Sequence, residues 1–142
     1  MDTINFEDFN FEVINTEDTG ELSMTVNLNS VSFTRAIAES LNYPSHVKSL
    51  IDRKECVFAI QACKSTTSKA INFSKPESKQ KGTVKILSAA VKNSLRATMK
   101  DSWKENMRYQ IMGTFIPEHK AFIFDLKEFT AIRPLNSKKQ NI

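Results

Sequence analysis

The chain has 142 residues, 40% of them hydrophobic, with ten Phe, only three Gly and a formal net charge of +4. That is enough apolar material for a core and too much for wholesale disorder, and the length bounds the chain to one compact domain or two small repeats sharing a core. So few glycines argue against a Gly-rich phosphate loop, and no apolar run approaches the roughly 18 residues of a membrane-spanning helix.

The charge is unevenly spread. Residues 1–21 carry seven acids (Asp2, Glu7, Asp8, Glu12, Glu17, Asp18, Glu21) and no Lys or Arg, while the rest of the chain carries 20 bases against nine acids. An acidic lead before a basic body fits two readings. It can serve solubility, with the lead folded over the body, or it can screen a basic surface meant for an anionic partner. The lead has no apolar stretch of secretory type.

Taken in order, residues 1–21 form an acidic, Phe-rich arm with an extended strand expected at about 9–14. Exposing Phe6, Phe9 and Phe11 is costly, so the arm is expected to dock on its own body or on a neighbouring subunit. Leu22, Met24, Val26 and Leu28 alternate with polar residues, which predicts a strand with one buried face. Asn29-Ser30 signals a turn, and Val31–Phe33 a short strand. Thr34 is a candidate N-cap for a helix carrying Ala36, Ile37 and Leu41, which Asn42-Tyr43-Pro44 ends. Val47, Leu50 and Ile51 lead into a charged turn at 52–55, and Cys56 to Cys63 completes a hairpin.

Residues 64–85 are rich in Ser, Thr and Lys, with six lysines (64, 69, 75, 79, 81, 85) against Glu77 and a short strand at 70–73. The spacing then predicts a second passage of the same order: a strand at Val84–Ile86, a helix capped by Ser88 with Ala90, Val91 and Leu95, and a hairpin of Arg108–Phe115 and Ala121–Leu126 around a turn at 117–120. The helix is expected to run on or restart through Met99, Trp103 and Met107. The helices match at an offset of 54 and the hairpins at 65 (Val57 onto Phe122), which implies an 11-residue insertion. The resulting boundaries are an arm at 1–21, a first β-α-β-β unit at 22–75, a basic linker at 76–83, a second unit at 84–132, and a basic tail at 133–142. The fold class expected is α+β, with two tandem strand–helix–hairpin units sharing a sheet or small barrel.

Catalytic chemistry is poorly provided for. There is no P-loop, GxSxG or HExxH pattern, and His46 and His119 both fall beside turns. Two histidines and no CxxC give too few ligands for zinc, so no metal, cofactor or catalytic residue is assigned. Cys56 and Cys63 at opposite ends of a strand would lie roughly 23 Å apart at about 3.3 Å per residue, too far to bridge. Reduced, buried thiols of a cytoplasmic protein are expected. Trp103, Lys104, Arg108 and Tyr109 cluster in sequence, either as a stacking and phosphate-contacting surface or as two core aromatics with wet charges around them. The linker lysines are either a phosphate-contacting segment or a solvated connector.

From Val31 to Gln61 the order of strand, helix after a small residue, Leu near the helix end, short stop and charged-turn hairpin resembles the swapped-hairpin unit of the AbrB, MazE and MraZ group of DNA-binding proteins. Members of the MraZ type hold two units in tandem, which the second passage at Val84 to Leu126 matches, so the resemblance covers residues 22–126. Where that group usually has Gly-Arg before the strand and Ile-Pro at the helix start, this chain has Asn29-Ser30 and Phe33-Thr34. The chain is also similar to small proteins common in Gram-positive bacteria and their phages.

The resemblance implies a non-enzymatic DNA-binding regulator, a homodimer or higher assembly, and arginines near strand ends on the DNA. Arg35, Lys48, Arg53, Lys54, Lys79, Lys81, Arg96, Lys104 and Arg108 are the candidate nucleic-acid contacts. The other expectation is a phage- or prophage-encoded accessory factor that binds a host protein or small ligand, for example an inhibitor of a host defence system, with Phe6, Phe9 and Phe11 as the docking element. A membrane partner is not expected.

Overall fold

A computed structural model of the chain describes residues 4–14 and 20–133. The fold is α+β: eight strands form one antiparallel, nearly closed sheet, and two helices cover its ends. The strands are β1 (Ser23–Val26), β2 (Val31–Phe33), β3 (His46–Asp52), β4 (Val57–Cys63), β5 (Ile71–Asn72), β6 (Val84–Ile86), β7 (Arg108–Ile116) and β8 (Ala121–Ile132). Helix α1 (Arg35–Ser40) follows β2, and α2 (Ala89–Thr98) follows β6. The spatial order is β5-β3-β4-β8-β7-β1-β2-β6.

Three hairpins follow from local chemistry. Asn27 closes β1–β2 by donating its N–H to the Ser30 carbonyl at 2.8 Å, and its side-chain amide reaches the Ser30 and Ser32 hydroxyls. The turns of β3–β4 and β7–β8 each end in a left-handed residue, Cys56 (φ 56°) and Lys120 (φ 50°). A non-Gly residue is held there only where the surrounding ladder fixes it. The ladder does so: the Leu126 N–H donates to the Cys56 carbonyl and the Ala62 N–H to the Lys120 carbonyl, both at 2.9 Å.

The core is a line of aromatic rings across the sheet's concave side. Phe33 on β2 meets Phe124 on β8 at 5.9 Å and Phe73, just past β5, at 5.3 Å, and Phe58 on β4 meets Phe124 at 6.1 Å. β4 and β8 are neighbours, but β2 lies three strands from β8 and six from β5 in the sheet order, so only a strongly curled sheet lets Phe33 meet Phe124 and Phe73. Gly113 on β7 marks where the rings come closest to a backbone. A Cβ there would lie 2.7 Å from the Phe124 ring, and the β7–β8 register shifts at Ile111/Gly113.

Several local expectations need correction. Residues 10–14 form no strand; the arm has a 3-10 turn at Phe6–Asp8, and Ile4, Phe6, Phe9, Phe11, Val13 and Ile14 are all exposed. The arm therefore does not bury its aromatics on its own body; Phe6 and Phe9 pack instead against Phe11. Thr34 stands at the start of α1, yet its hydroxyl does not cap the helix. It donates to the Glu21 carbonyl and accepts from the Ser23 N–H, tying β1 to the helix start. Ser88 does cap α2, accepting from the Val91 N–H at 3.3 Å. Helix α2 stops at Thr98, and Met99 and Trp103 enter the core from the turns beyond it. Both cysteines are half-buried, and Cys56 lies in the turn before β4. Residues 15–19 of the connector and 134–142 of the basic tail lie outside the described residues.

Candidate nucleic-acid interface

The nine basic residues singled out from the sequence do not form one face. They divide between the two ends of the sheet, with Lys48 on the wall between them, where it pairs with Gln61 of β4.

One end carries the β1–β2 and β3–β4 turns and α2, and it gathers Arg53, Lys54, Arg96, Lys104 and Arg108. Its three arginines are each engaged in hydrogen bonds within the chain. Arg53 donates to the Thr98 hydroxyl at 3.0 Å and to the hydroxyl and carbonyl of Ser94, holding the β3–β4 turn on α2. Arg96 donates to three carbonyls: Met107 at 2.8 Å, Asn27 at 2.9 Å and Lys104 at 3.1 Å. It thereby pins α2 to the β1–β2 turn and to the segment entering β7. Burial lowers the Arg96 pKa from its ordinary value, opposed by Tyr109 and Glu105. Arg108 donates twice to the Arg133 carbonyl. Lys54 and Lys104 are exposed.

Trp103 and Tyr109 are buried at this end, stacked at 4.7 Å with Phe129 edge-on to both. The Tyr109 hydroxyl accepts from the Lys104 N–H at 2.6 Å. Their faces are taken, so they are core and offer no platform for a base. The acids Asp52, Glu55, Asp101, Glu105, Asp125 and Glu128 share this end of the chain fold. Asp125 pairs with Lys127 at 2.9 Å, and the hydrogen bond from Lys127 holds the Asp125 carboxyl below its usual range.

The other end carries α1 and the connection from β5 to β6. Arg35 opens α1, donates its Nε to the Gln80 carbonyl at 2.8 Å, and lies 5.2 Å over the Tyr43 ring. The buried Gln80 side chain organises the loop: it accepts from the Lys75 N–H and donates to the Gly82 and Thr83 carbonyls. The segment that reads as a plain linker is therefore a braced loop that presents Lys75, Lys79 and Lys81 outward. A depression of about 480 Å³ between Arg35, this loop and Glu12–Ile14 of the arm runs beside it.

Among the described residues, the loop borders the interruption in the ring of strands. β5 and β6 face each other without pairing across a cleft of about 490 Å³ lined by His46, Ser65, Ala70, Ile71, Asn72, Lys85, Ile86, Leu87 and Ser88. No Asp or Glu lines it. Lys85 lines it, Lys64 and Lys69 are next in sequence to the lining Ser65 and Ala70, and all three are exposed. Lys64, Lys69, Lys75 and Lys85 were legible as linker charge, but nothing in the sequence marks which two strands leave the ring open, and so which lysines flank a gap.

No family model, curated protein or solved structure matches this chain. Among the described residues, no helix is long and apolar enough to cross a membrane.

Proposed function

We propose that this chain is a non-enzymatic DNA-binding regulatory protein whose phosphate-contacting surface is the lysine strip of residues 64–85 together with Arg35. The observation that carries this reading is the charge of that strip: six lysines against the single acid Glu77, with Lys75, Lys79 and Lys81 on the loop that Gln80 and Arg35 brace. A braced row of lysines binds phosphate without reading base sequence, and its affinity falls steeply with salt. The α2 end is the poorer candidate, because its arginines are committed to carbonyls and its acids offset its lysines.

The same reading takes the two halves as tandem copies of one β-β-α-β-β unit, in line with the swapped-hairpin resemblance. Three separate correspondences support it at one offset of 64: the left-handed residues Cys56 and Lys120, the hydrogen bonds ending at Ala62 and Leu126, and the last hairpin pairs Asp52↔Val57 and Ile116↔Ala121. An even offset also keeps faces in phase, laying buried Phe58 on buried Phe122. The offset of 65 lays half-exposed Val57 on Phe122, and a one-residue slip turns a strand over. In this reading β5 opens the second copy as β1 opens the first.

Fluorescence polarisation with labelled duplex DNA at low and moderate salt tests the proposal. Binding that weakens with salt and is lost when Lys64, Lys75 and Lys79 become Glu supports it. No binding at micromolar protein in low salt refutes it. A second reading, an accessory factor (such as a phage-encoded one) that docks on a host protein, is favoured by the exposure of Phe6, Phe9 and Phe11 at 75%, 55% and 63%. It expects a partner whose capture is lost when residues 1–14 are removed.

A further inference from the structure

Within the described sheet, the seam between β5 and β6 stands apart. Around the rest of the ring, neighbouring strands satisfy each other; here two edges face one another unpaired. The direction of each backbone group follows from the bonds already made. The Asn27 N–H reaches the Ser30 carbonyl and the Thr34 N–H the Ser23 carbonyl. With that alternation, Val31 and Phe33 turn their backbone groups to β6, where Ile86 and Val84 answer them, and Lys85 turns its own N–H and C=O into the seam. Across the gap, the Phe73 N–H reaches the Ser45 carbonyl, so Phe73 and Ile71 face β3 and Asn72 faces the seam. Backbone groups open on both sides of a cleft are a template for an added strand.

We propose that the segment Phe9–Val13 of a second copy of this chain lies in this seam as an extra strand, each copy receiving the arm of the other. The arm matches the site in pattern, chemistry and charge. Phe9, Phe11 and Val13 alternate with Asn10 and Glu12, so an extended arm puts its apolar residues on one face. That face continues the buried Val84 and Ile86 of β6, and the other sets Glu12 beside exposed Lys85. The arm carries Glu7, Asp8 and Glu12 and no base over residues 4–14; the cleft is lined by Lys85 and His46 and no acid. Both surfaces are left open within one chain, Val13 at 96% and Leu87 at 74% exposure. In this chain Glu12, Val13 and Ile14 line the separate depression at Arg35, not the seam. Reciprocal exchange of one segment closes a two-fold dimer with the same patch used twice.

The test is light scattering with amide hydrogen exchange on the full chain, free of nucleic acid, so that its failure is separate from failure of the DNA-binding reading. The expected result is a dimer at tens of micromolar with the Lys85 amide protected. The double variant Phe9→Asp/Phe11→Asp should be monomeric and exchange that amide at least about tenfold faster, with the Ile111 amide unchanged as the control for folding. Lys85→Pro, which removes the seam-facing N–H and leaves the β2 ladder whole, should give the same monomer; if it does not fold, the arm variant still decides. A monomeric native chain overturns the proposal. So does a dimer that survives the arm substitutions, and so does Lys85 protection that is arm-independent (the seam closing on itself). A monomer with arm-dependent protection also overturns it, since the chain would then be using its own arm.

Discussion

Replacing Arg96 by Met separates a structural arginine from a DNA-contacting one. The native guanidinium donates to the carbonyls of Asn27, Lys104 and Met107, which belong to two segments that α2 does not otherwise hold by hydrogen bonds. A hydrogen bond from a charged donor is worth about 1.5–3 kcal/mol, and three bonds from one group are not additive. Water can reach the Lys104 carbonyl in an exposed turn, so about 3 kcal/mol is the net loss to expect, most of it from the Asn27 and Met107 bonds. For a chain of this size that lowers the melting midpoint by roughly 10 °C. Thermal unfolding by circular dichroism gives the midpoint, and polarisation at a temperature where the variant stays folded gives its DNA affinity. The expected pair of results is a large fall in midpoint and an affinity within about twofold of native, since salt-dependent binding scales with phosphates contacted. Arg96→Lys should rescue little, because a point ammonium cannot reach three carbonyls at once. A midpoint unchanged within error, together with a collapse in DNA binding, would return Arg96 to the interface.

Gly113→Ala should cost about 1–3 kcal/mol in urea unfolding, because the new Cβ meets the buried Phe124 ring and that ring is hemmed by Phe33, Phe58 and Phe122; a neutral result would mean the ring line can shift. Asp125 should titrate below the ordinary carboxylate value in an NMR pH series, and Lys127→Met should raise it. With the folded value depressed, its stabilisation is present above the unfolded value of about 3.9 and is lost as pH falls through the folded value; it is small, because both partners are exposed. If the five lysines 64, 69, 75, 79 and 85 each meet one phosphate, the log–log salt slope should be about −4.5, or roughly 500-fold in affinity between about 50 and 200 mM salt. Changing all five to Gln should cut that slope to the share left to Lys81 and Arg35, about −2 or shallower, and an unaltered slope would move the contact elsewhere.

Much of the ring was legible from local pattern. The alternation at Leu22–Leu28, the stop at Asn42-Tyr43-Pro44, the Ser88 cap and the hairpin at 117–120 are short-range signals, and each stands in the fold where its chemistry puts it. Asn42 and Tyr43 do take left-handed φ values of 64° and 51° at the end of α1. What could not be read depends on distant partners. The role of Arg96 hangs on a carbonyl 69 residues away. Trp103 and Tyr109 have the same composition whether they stack on bases or on each other, and only the edge-on Phe129 decides it. β5 falls within the short strand expected at 70–73, but its two residues give no sign of which strand it pairs with. The arm has the spacing of a strand from Phe9 to Val13, but a strand needs an edge to pair with, and within one chain Glu12, Val13 and Ile14 lie at the Arg35 depression and on no strand edge.

The sheet order also sets a timetable for synthesis. Ser23 of β1 pairs with Met112 of β7, 89 residues further along, and only the short β2 is near it in sequence. At roughly 5–20 residues per second, β1 waits about 4 to 18 s after its own translation before its main partner exists. Until then Met24 and Val26 have no completed interior to enter, and the edge that β7 will cover stays open. A chain built this way folds late and all together, with a high sequence separation between paired strands slowing the search. Nascent chains halted before β7 should therefore be degraded by protease along their whole length, and resistance should arrive in one step once β8 has cleared the ribosome.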